Sequence, residues 1–212
     1  MKVLLVNGSP HQNGCTQRAL TEVARSLEAE GIETEIFWLG AKPVGGCMGC
    51  FACEKLRKCV IDDSVNAFRD KAYAADGFIF GSPVHYAGIS GNLVGFMDRL
   101  FFSEFSGNQN KAFYLKPAAA VVSARRAGTT TAIAQIEKYF TVQEMPVIST
   151  RCWNMVHGMS AEEVGQDAEG LCNLRLLGRN MAYFLKCREA ANRAGVPLPA
   201  YETPVFTNFV RS

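Results

Sequence analysis

Short apolar runs and amphipathic stretches alternate along most of the chain. The apolar runs predict five strands, over residues 2–6, 32–39, 77–81, 118–123 and 145–149. Apolar side chains at helical spacing predict helices over residues 15–31, 64–75, 92–102, 129–139 and 161–194. Strands that alternate with helices form a parallel sheet that is covered on both faces. The pattern therefore predicts an α/β domain whose ligands bind at the carboxyl ends of the strands.

The first strand is followed by a polar, glycine-containing loop and then by a helix. Asn7-Gly8-Ser9-Pro10 ends the strand, and Gly14-Cys15-Thr16 opens the helix. Backbone N–H groups at a helix N-terminus favour an anion, and short side chains add further donors. The loop lacks Lys and Arg, and it carries neither the P-loop motif nor the Gly-x-Gly-x-x-Gly fingerprint, so it suits a monoester phosphate. An ordinary turn in which Ser9 or Asn13 caps the helix is the alternative.

This loop resembles the phosphate loop of the NADPH-dependent FMN reductases, a branch of the flavodoxin-like superfamily. The resemblance implies a three-layer sandwich, in which helices cover both faces of a five-stranded parallel sheet of order 2-1-3-4-5. It also implies non-covalent FMN, whose phosphate is held by Ser9, Pro10, Gly14, Cys15 and Thr16. Asn or Ser is more common in that family at the position of Cys15, and a thiol is the weaker hydrogen-bond donor.

Two further loops follow the third and fourth predicted strands. The loop at 81–92 is similar to the family's isoalloxazine loop, which implies flavin contacts from Ser82, Pro83, Val84, His85, Tyr86 and Gly88. The loop at 121–129 is similar to the one that meets the far edge of the flavin, which implies contacts from Ser123, Arg125, Arg126 and Gly128. Without the resemblance, the first segment is an ordinary turn and the arginine pair is solvated charge. We treat His85 as a neighbour of the ring and predict no catalytic acid, base or nucleophile.

Four of the eight cysteines lie close together, as Cys47-x-x-Cys50-x-x-Cys53 followed by Cys59. Such spacing lets thiolates converge on tetrahedral zinc or on an iron–sulfur cluster, and free thiols are a third interpretation. The run resembles that of the iron–sulfur flavoproteins, which implies a 4Fe–4S cluster beside FMN on these four residues. We expect the scattered Cys152, Cys172 and Cys187 to be small buried side chains.

Composition narrows the class of protein. A length of 212 residues with 48% hydrophobic content fits one domain with a sizeable core, and we divide the chain into a domain over 1–194 and a proline-containing extended arm over 195–212. The net charge of +2 gives no reason to expect binding to nucleic acid or to a membrane. We found no apolar run of transmembrane or signal-peptide length, so we expect a cytoplasmic protein.

The resemblance implies an oxidoreductase that passes hydride from NADPH or NADH to the flavin N5. Electrons then leave for a flavin, a quinone or a protein carrier, and the relatives imply a homodimer or a homotetramer. One alternative is an electron-transfer module with a 4Fe–4S cluster on the 47–59 loop and a ferredoxin as partner. The other alternative is a binding or regulatory protein that kept the fold and lost the flavin.

Overall fold

The computed structural model describes residues 1–207 and 209 of the chain. The strands are β1 (Lys2–Asn7), β2 (Glu33–Trp38), β3 (Gly77–His85), β4 (Gly88–Ile89), β5 (Ala118–Ala124) and β6 (Met155–His157). The helices are α1 (Cys15–Ala29), α2 (Cys53–Leu56), α3 (Ser64–Ala72), α4 (Gly91–Asn108), α5 (Thr129–Val142), α6 (Ala161–Val164) and α7 (Ala168–Arg193).

The strands form one sheet in the order β2-β1-β3-β5-β6, and all of these neighbours are parallel. The sixth strand, β4, folds back on the end of β3 and pairs with it antiparallel. Tyr86 and Ala87 both have positive φ angles, of 48° and 60°, which is the geometry of a two-residue hairpin turn. The flavodoxin-like α/β class is confirmed, but the sheet has six strands because this short hairpin intervenes in chain order.

The predicted fifth strand at 145–149 is wrong in its position. That segment makes only an isolated bridge between Val147 and Ala118. Pro146 has no N–H to extend a ladder, and the hydroxyl of Thr150 donates to the carbonyl of Cys152, so the chain turns before it pairs again. The edge strand is instead β6, which pairs with the end of β5.

Both faces of the sheet are buried, which explains why its central strands are continuous apolar runs. Leu4 and Val6 face one core with side chains of α3, α4 and α5. Val3 and Leu5 face a second core with side chains of α1 and α7. The three layers follow from this alternation along each strand.

The helices differ from the predicted ones mainly at their ends. α4 extends past the predicted end at 102 to Asn108, and the stretch predicted as one helix over 161–194 is divided into α6 and α7. Asp167 makes this division because its carboxylate accepts from the N–H of Gly170 at 2.9 Å and thereby begins α7. Gly31 follows the end of α1 with φ of 78°, the left-handed conformation that glycine commonly adopts after a helix.

The predicted extended arm contains no helix or strand over residues 195–207. Its first part lies against the domain, because the rings of Tyr201 and Tyr114 meet edge to face at 5.6 Å. Further along, Val205 and Phe206 are exposed. Residues 208 and 210–212 of the arm lie outside the described residues. Across the described part of the chain, every helix is too short or too polar to span a bilayer.

Candidate functional site

The carboxyl ends of β1, β3 and β5 surround a cleft of about 290 Å³. Eight of the predicted cofactor-binding residues line it, namely Ser9, Gly14, Cys15, Thr16, Pro83, Val84, Ser123 and Arg125. Five further residues line it that were not among the predicted site residues, namely His11, Ala124, Gly158, Met159 and Ser160. The three predicted loops therefore meet at one place, and the segment after β6 closes its far side.

The N-terminus of α1 opens into this cleft without a side-chain cap. The N-cap residue is Gly14, and no side chain makes a capping hydrogen bond to the first turn. The alternative in which Ser9 or Asn13 caps the helix is therefore wrong. The first-turn N–H groups have no partners within the helix, and the first turn carries no acidic side chain. These N–H groups and the positive end of the helix dipole suit a phosphate monoester.

Asn7 organises the loop in front of this helix, although it was not among the predicted site residues. Its side-chain N–H₂ group donates to the carbonyl of Gln12 at 3.2 Å and to the side chain of Gln17 at 2.9 Å. Its side-chain oxygen accepts from the N–H of Ser9 at 3.0 Å. A polar residue that ends an otherwise apolar strand was the available signal in the sequence.

The first and second loops are held together by a close approach at Gly8. Its N–H donates to the carbonyl of Gly81 at 2.9 Å, and a Cβ added to it would lie 2.9 Å from that same oxygen. Ser90 donates to the carbonyl of Gly8 at 2.7 Å. The hydroxyl of the buried Ser82 accepts from the N–H of Ser90 and donates to the carbonyl of Pro83. Ser82 therefore supports the loop from below and lies outside the lining of the cleft.

Two buried hydroxyls face each other where the first and third loops meet. Thr16 Oγ1 lies 3.0 Å from Ser123 Oγ, and either one is able to donate. Because the pair uses only one of its two protons, the other proton is free to donate to a ligand. Ser9 has a similar arrangement, since its hydroxyl oxygen accepts from the N–H of His11 at 3.1 Å and its own proton is free.

The thiol of Cys15 contacts the segment that follows β6. Its Sγ lies 3.6 Å from the carbonyl oxygen of Gly158, to which it donates. Burial raises the pKa of the Cys15 thiol, which keeps it protonated at neutral pH. The contribution of Cys15 is therefore to hold the segment after β6 against the start of α1.

Most of the residues predicted to contact the flavin ring lie outside the lining of the cleft, some exposed and others packed beneath the loops. His85 and Tyr86 are exposed at the tip of the β3–β4 hairpin, outside the lining of the cleft. Gly128 has φ of 89°, and a Cβ there would lie 2.6 Å from Cα of Ala87, so it lets the third loop pack against this hairpin. Arg125 and Arg126 are both exposed, but only Arg125 lines the cleft. The remaining predicted residues, Pro10 beside Ser9 and Gly88 in β4, also lie outside the lining.

The clustered cysteines form a second candidate site, which lies beside α4. Cys47, Cys50, Cys53 and Cys59 all line one small cavity of about 20 Å³, beside Arg99. Burial raises the pKa of the Cys53 thiol, and the neighbouring cysteines raise it further. Within residues 1–207 and 209, no three metal-binding side chains lie close enough together to hold a single ion.

The donor set, though not the present spacing, fits a four-iron cluster, because four cysteine thiolates are the usual ligands of such a cluster. A cube-shaped cluster takes one thiolate at each iron, so its four cysteines surround it at wider spacing than the ligands of a single zinc ion. The enclosed space is close to the volume of one water molecule, which is much smaller than a cluster. Of the scattered cysteines, Cys152 and Cys187 are exposed and Cys172 is half-buried, so the prediction that they are buried is wrong.

Comparison with known proteins agrees with this architecture. An iron–sulfur flavoprotein of Methanocaldococcus jannaschii is 33% identical, and the match covers 88% of this chain and 98% of that protein. An iron–sulfur flavoprotein of Methanosarcina thermophila is 27% identical over 85% of this chain and 98% of that protein. The solved structure of a flavodoxin from the domain Archaea superposes with a TM-score of 0.57 at 17% identity, over 88% of this chain and 99% of that one, which is a likeness of fold.

The family model described as NADPH-dependent FMN reductase matches residues 1–160. The matched region contains the phosphate-type loop, both of the following loops and the cysteine run. The chain therefore belongs to the NADPH-dependent FMN reductase family and is a flavoprotein oxidoreductase.

Proposed function

We propose that this chain binds FMN non-covalently in the cleft and passes electrons from NADPH or NADH to a flavin, quinone or protein acceptor. The observation that carries the proposal is the uncapped N-terminus of α1, which opens into a cleft lined by three loops at the carboxyl edge of the sheet. That placement is where open α/β sheets bind their ligands.

The side chains around the cleft have distinct tasks in this proposal. Thr16 and Ser9 donate hydroxyl protons to the phosphate beside the N–H groups of α1, and Asn7 holds the loop that presents them. Arg125 adds a positive charge at the opposite wall, which favours an anionic ligand. Bound FMN supplies hydride acceptance at N5 and the onward release of electrons. No side chain is required as a catalytic acid, base or nucleophile.

The visible absorption spectrum of anaerobically purified protein tests this proposal. We expect resolved flavin bands that bleach when NADPH or NADH is added. Protein that stays colourless after FMN is supplied and the excess is removed would contradict flavin binding, and it would favour the binding-protein alternative. Flavin bands that bleach with dithionite and stay unchanged with either nucleotide would contradict the nicotinamide donor alone.

A second candidate function is favoured by the common cavity of Cys47, Cys50, Cys53 and Cys59. We propose that these four thiolates hold a 4Fe–4S cluster, in line with the similarity to the iron–sulfur flavoproteins of Methanocaldococcus jannaschii and Methanosarcina thermophila. A cluster supplies one-electron transfer, which would connect the flavin to a protein carrier such as a ferredoxin. Iron and acid-labile sulfide are the direct test, and protein that contains neither after anaerobic purification would refute this candidate.

We also propose that the chain acts as a homodimer or homotetramer. A cleft of about 520 Å³ lies between α4 and α5, and its wall includes Phe102, Phe105 and the largely exposed Val142. Apolar surface of this kind is typical of subunit contacts. Light scattering on the holoprotein should give a multiple of 23.2 kDa, and Val142→Glu should shift the distribution towards the monomer. A wild-type protein that is monomeric at micromolar concentration would refute the proposal.

A further inference from the structure

Arg99 is a buried cation directed at the cysteine cavity. Only 2% of the residue is exposed, and it is among the largest fully buried side chains of the protein. Its Nε donates to Sγ of Cys59 at 3.2 Å, and its two terminal nitrogens donate to the carboxylate of Asp63 at 2.7 and 2.9 Å. A buried arginine needs partners for its donors, and here one of those partners is a sulfur atom.

The backbone of Cys59 is fixed independently by Asn66. The side-chain oxygen of Asn66 accepts from the N–H of Cys59 at 3.1 Å, and its N–H₂ group donates to the carbonyl of Cys59 at 2.9 Å. Asn66 is itself buried on α3. Both the main chain and the sulfur of Cys59 are therefore held by side chains that belong to the folded core.

The other cysteines of the cavity are not held in this way. Cys47 and Cys50 are exposed, on a stretch over 43–51 without helix or strand, and Cys53 begins the four-residue α2. Cys53 is itself buried, and its carbonyl packs against α4 at Gly107, so Cys47 and Cys50 are the two cysteines on exposed irregular chain.

We propose that Arg99 is a positioning residue that presets Cys59 as the anchored ligand of the four-cysteine site and offsets the negative charge there. The inference rests on the proposed cluster. Hydrogen bonds to ligand sulfurs and net charge are two of the factors that set the potential of such clusters. A guanidinium that stays charged beside Cys59 favours the form with one more electron. Arg99 thus tunes the potential while it orders the ligand.

Three variants test this inference on the full holoprotein. Arg99→Met removes both the donor and the charge, and Arg99→Lys keeps the charge while losing the geometry that reaches Cys59 and Asp63 together. Lys58→Met is the matched control, because it removes an exposed positive charge next to Cys59 and leaves Arg99 with its donor to Cys59 and its ion pair with Asp63. Flavin content and far-ultraviolet circular dichroism report whether each variant folds.

The decisive readout is the midpoint potential of the cluster, together with iron content and the electron paramagnetic resonance spectrum of the reduced protein. We expect Arg99→Met to lower the potential and the iron content, Arg99→Lys to recover part of both, and Lys58→Met to change both much less, because its charge is solvated. If wild type contains iron and both Arg99 variants match Lys58→Met, the role of Arg99 is refuted and the cluster stands. Wild-type protein without iron refutes the cluster and this inference together.

If Arg99→Met does not fold, Arg99→Lys still decides the question. A lysine variant with native flavin content and an unchanged iron content and spectrum would refute the positioning role of Arg99, whereas a shifted spectrum with native flavin content would support it.

Discussion

The double variant Thr16→Val with Ser9→Ala is the sharpest test of where the phosphate of FMN lies. Each substitution removes one hydroxyl whose proton is free in the structure. A hydrogen bond to a charged group contributes roughly 1.5–3 kcal/mol. Loss of two such bonds should therefore raise the Kd for FMN by roughly a hundredfold to ten-thousandfold.

Riboflavin makes this test specific, because it shares the ring of FMN and lacks the phosphate. Quenching of flavin fluorescence on titration with apoprotein measures both affinities. We expect the double variant to lose affinity for FMN and to keep its affinity for riboflavin. Equal losses for both flavins would show that the cleft has been distorted, and unchanged FMN affinity would show that the phosphate binds elsewhere.

Two further variants separate hydrogen bonding from structural damage. Thr16→Val also leaves Ser123 with an unpaired buried hydroxyl, which costs about 1–3 kcal/mol of stability. Thr16→Ser keeps the hydroxyl and should keep most of the FMN affinity. Thr21→Val is the matched control on the same helix, because the hydroxyl of Thr21 donates to the carbonyl of Gln17 at 2.8 Å and does not line the cleft.

Three other predictions concern the loops and the pH dependence of stability. Gly8→Ala should lower both the melting temperature and FMN affinity, because its Cβ would lie 2.9 Å from a loop carbonyl, and an unchanged melting curve would contradict this. Gly95→Ala would place a Cβ 2.6 Å from the carbonyl oxygen of Val44, just before the cysteine run, so the iron content should fall more than the FMN content. In the control Gly91→Ala, the added Cβ meets nothing within 4 Å, and neither content should change. Burial lowers the pKa of Lys116 from 10.5 to about 8, so between those pH values the unfolded chain binds more protons than the folded chain. The free energy of unfolding of the wild type should therefore increase with pH over this interval, relative to that of Lys116→Met. Urea denaturation at several pH values measures this difference.

The order of elements was predictable because both faces of the central strands are buried. β1, β3 and β5 are continuous apolar runs, and the helices between them keep a clear apolar stripe. β6 was missed because it has three residues and pairs along one side only, so it leaves little pattern in the sequence. The more apolar stretch at 145–149 was the stronger signal, and tertiary packing overrode it.

The meeting of the three loops in one cleft was predictable, and the contacts that their residues make were less so. The three loops share one edge because parallel strands place their carboxyl ends together. The inward direction of Ser82 depends on Ser90, eight residues away, and the direction of the Cys15 thiol depends on Gly158. Spacing along the chain carries no information about such contacts.

Helix α4 contacts both the cleft at the carboxyl edge of the sheet and the cysteine cavity. A Cβ on Gly8 would lie 2.9 Å from Cβ of Leu93 near the start of this helix, and Arg99 reaches Cys59 less than two turns further along. At 1.5 Å per residue, Leu93 and Arg99 are about 9 Å apart along the helix axis. Asn92 extends the same connection, since its side chain accepts from the N–H of Val44 at 3.2 Å just before the cysteine run. A rigid helix that contacts the first loop at Leu93 and Cys59 through Arg99, less than two turns later, holds the cleft and the cysteine cavity at a fixed separation. The long cysteine loop is therefore attached to the same helix that supports the cleft, and it adds to the flavodoxin-like topology without altering the carboxyl edge of the sheet.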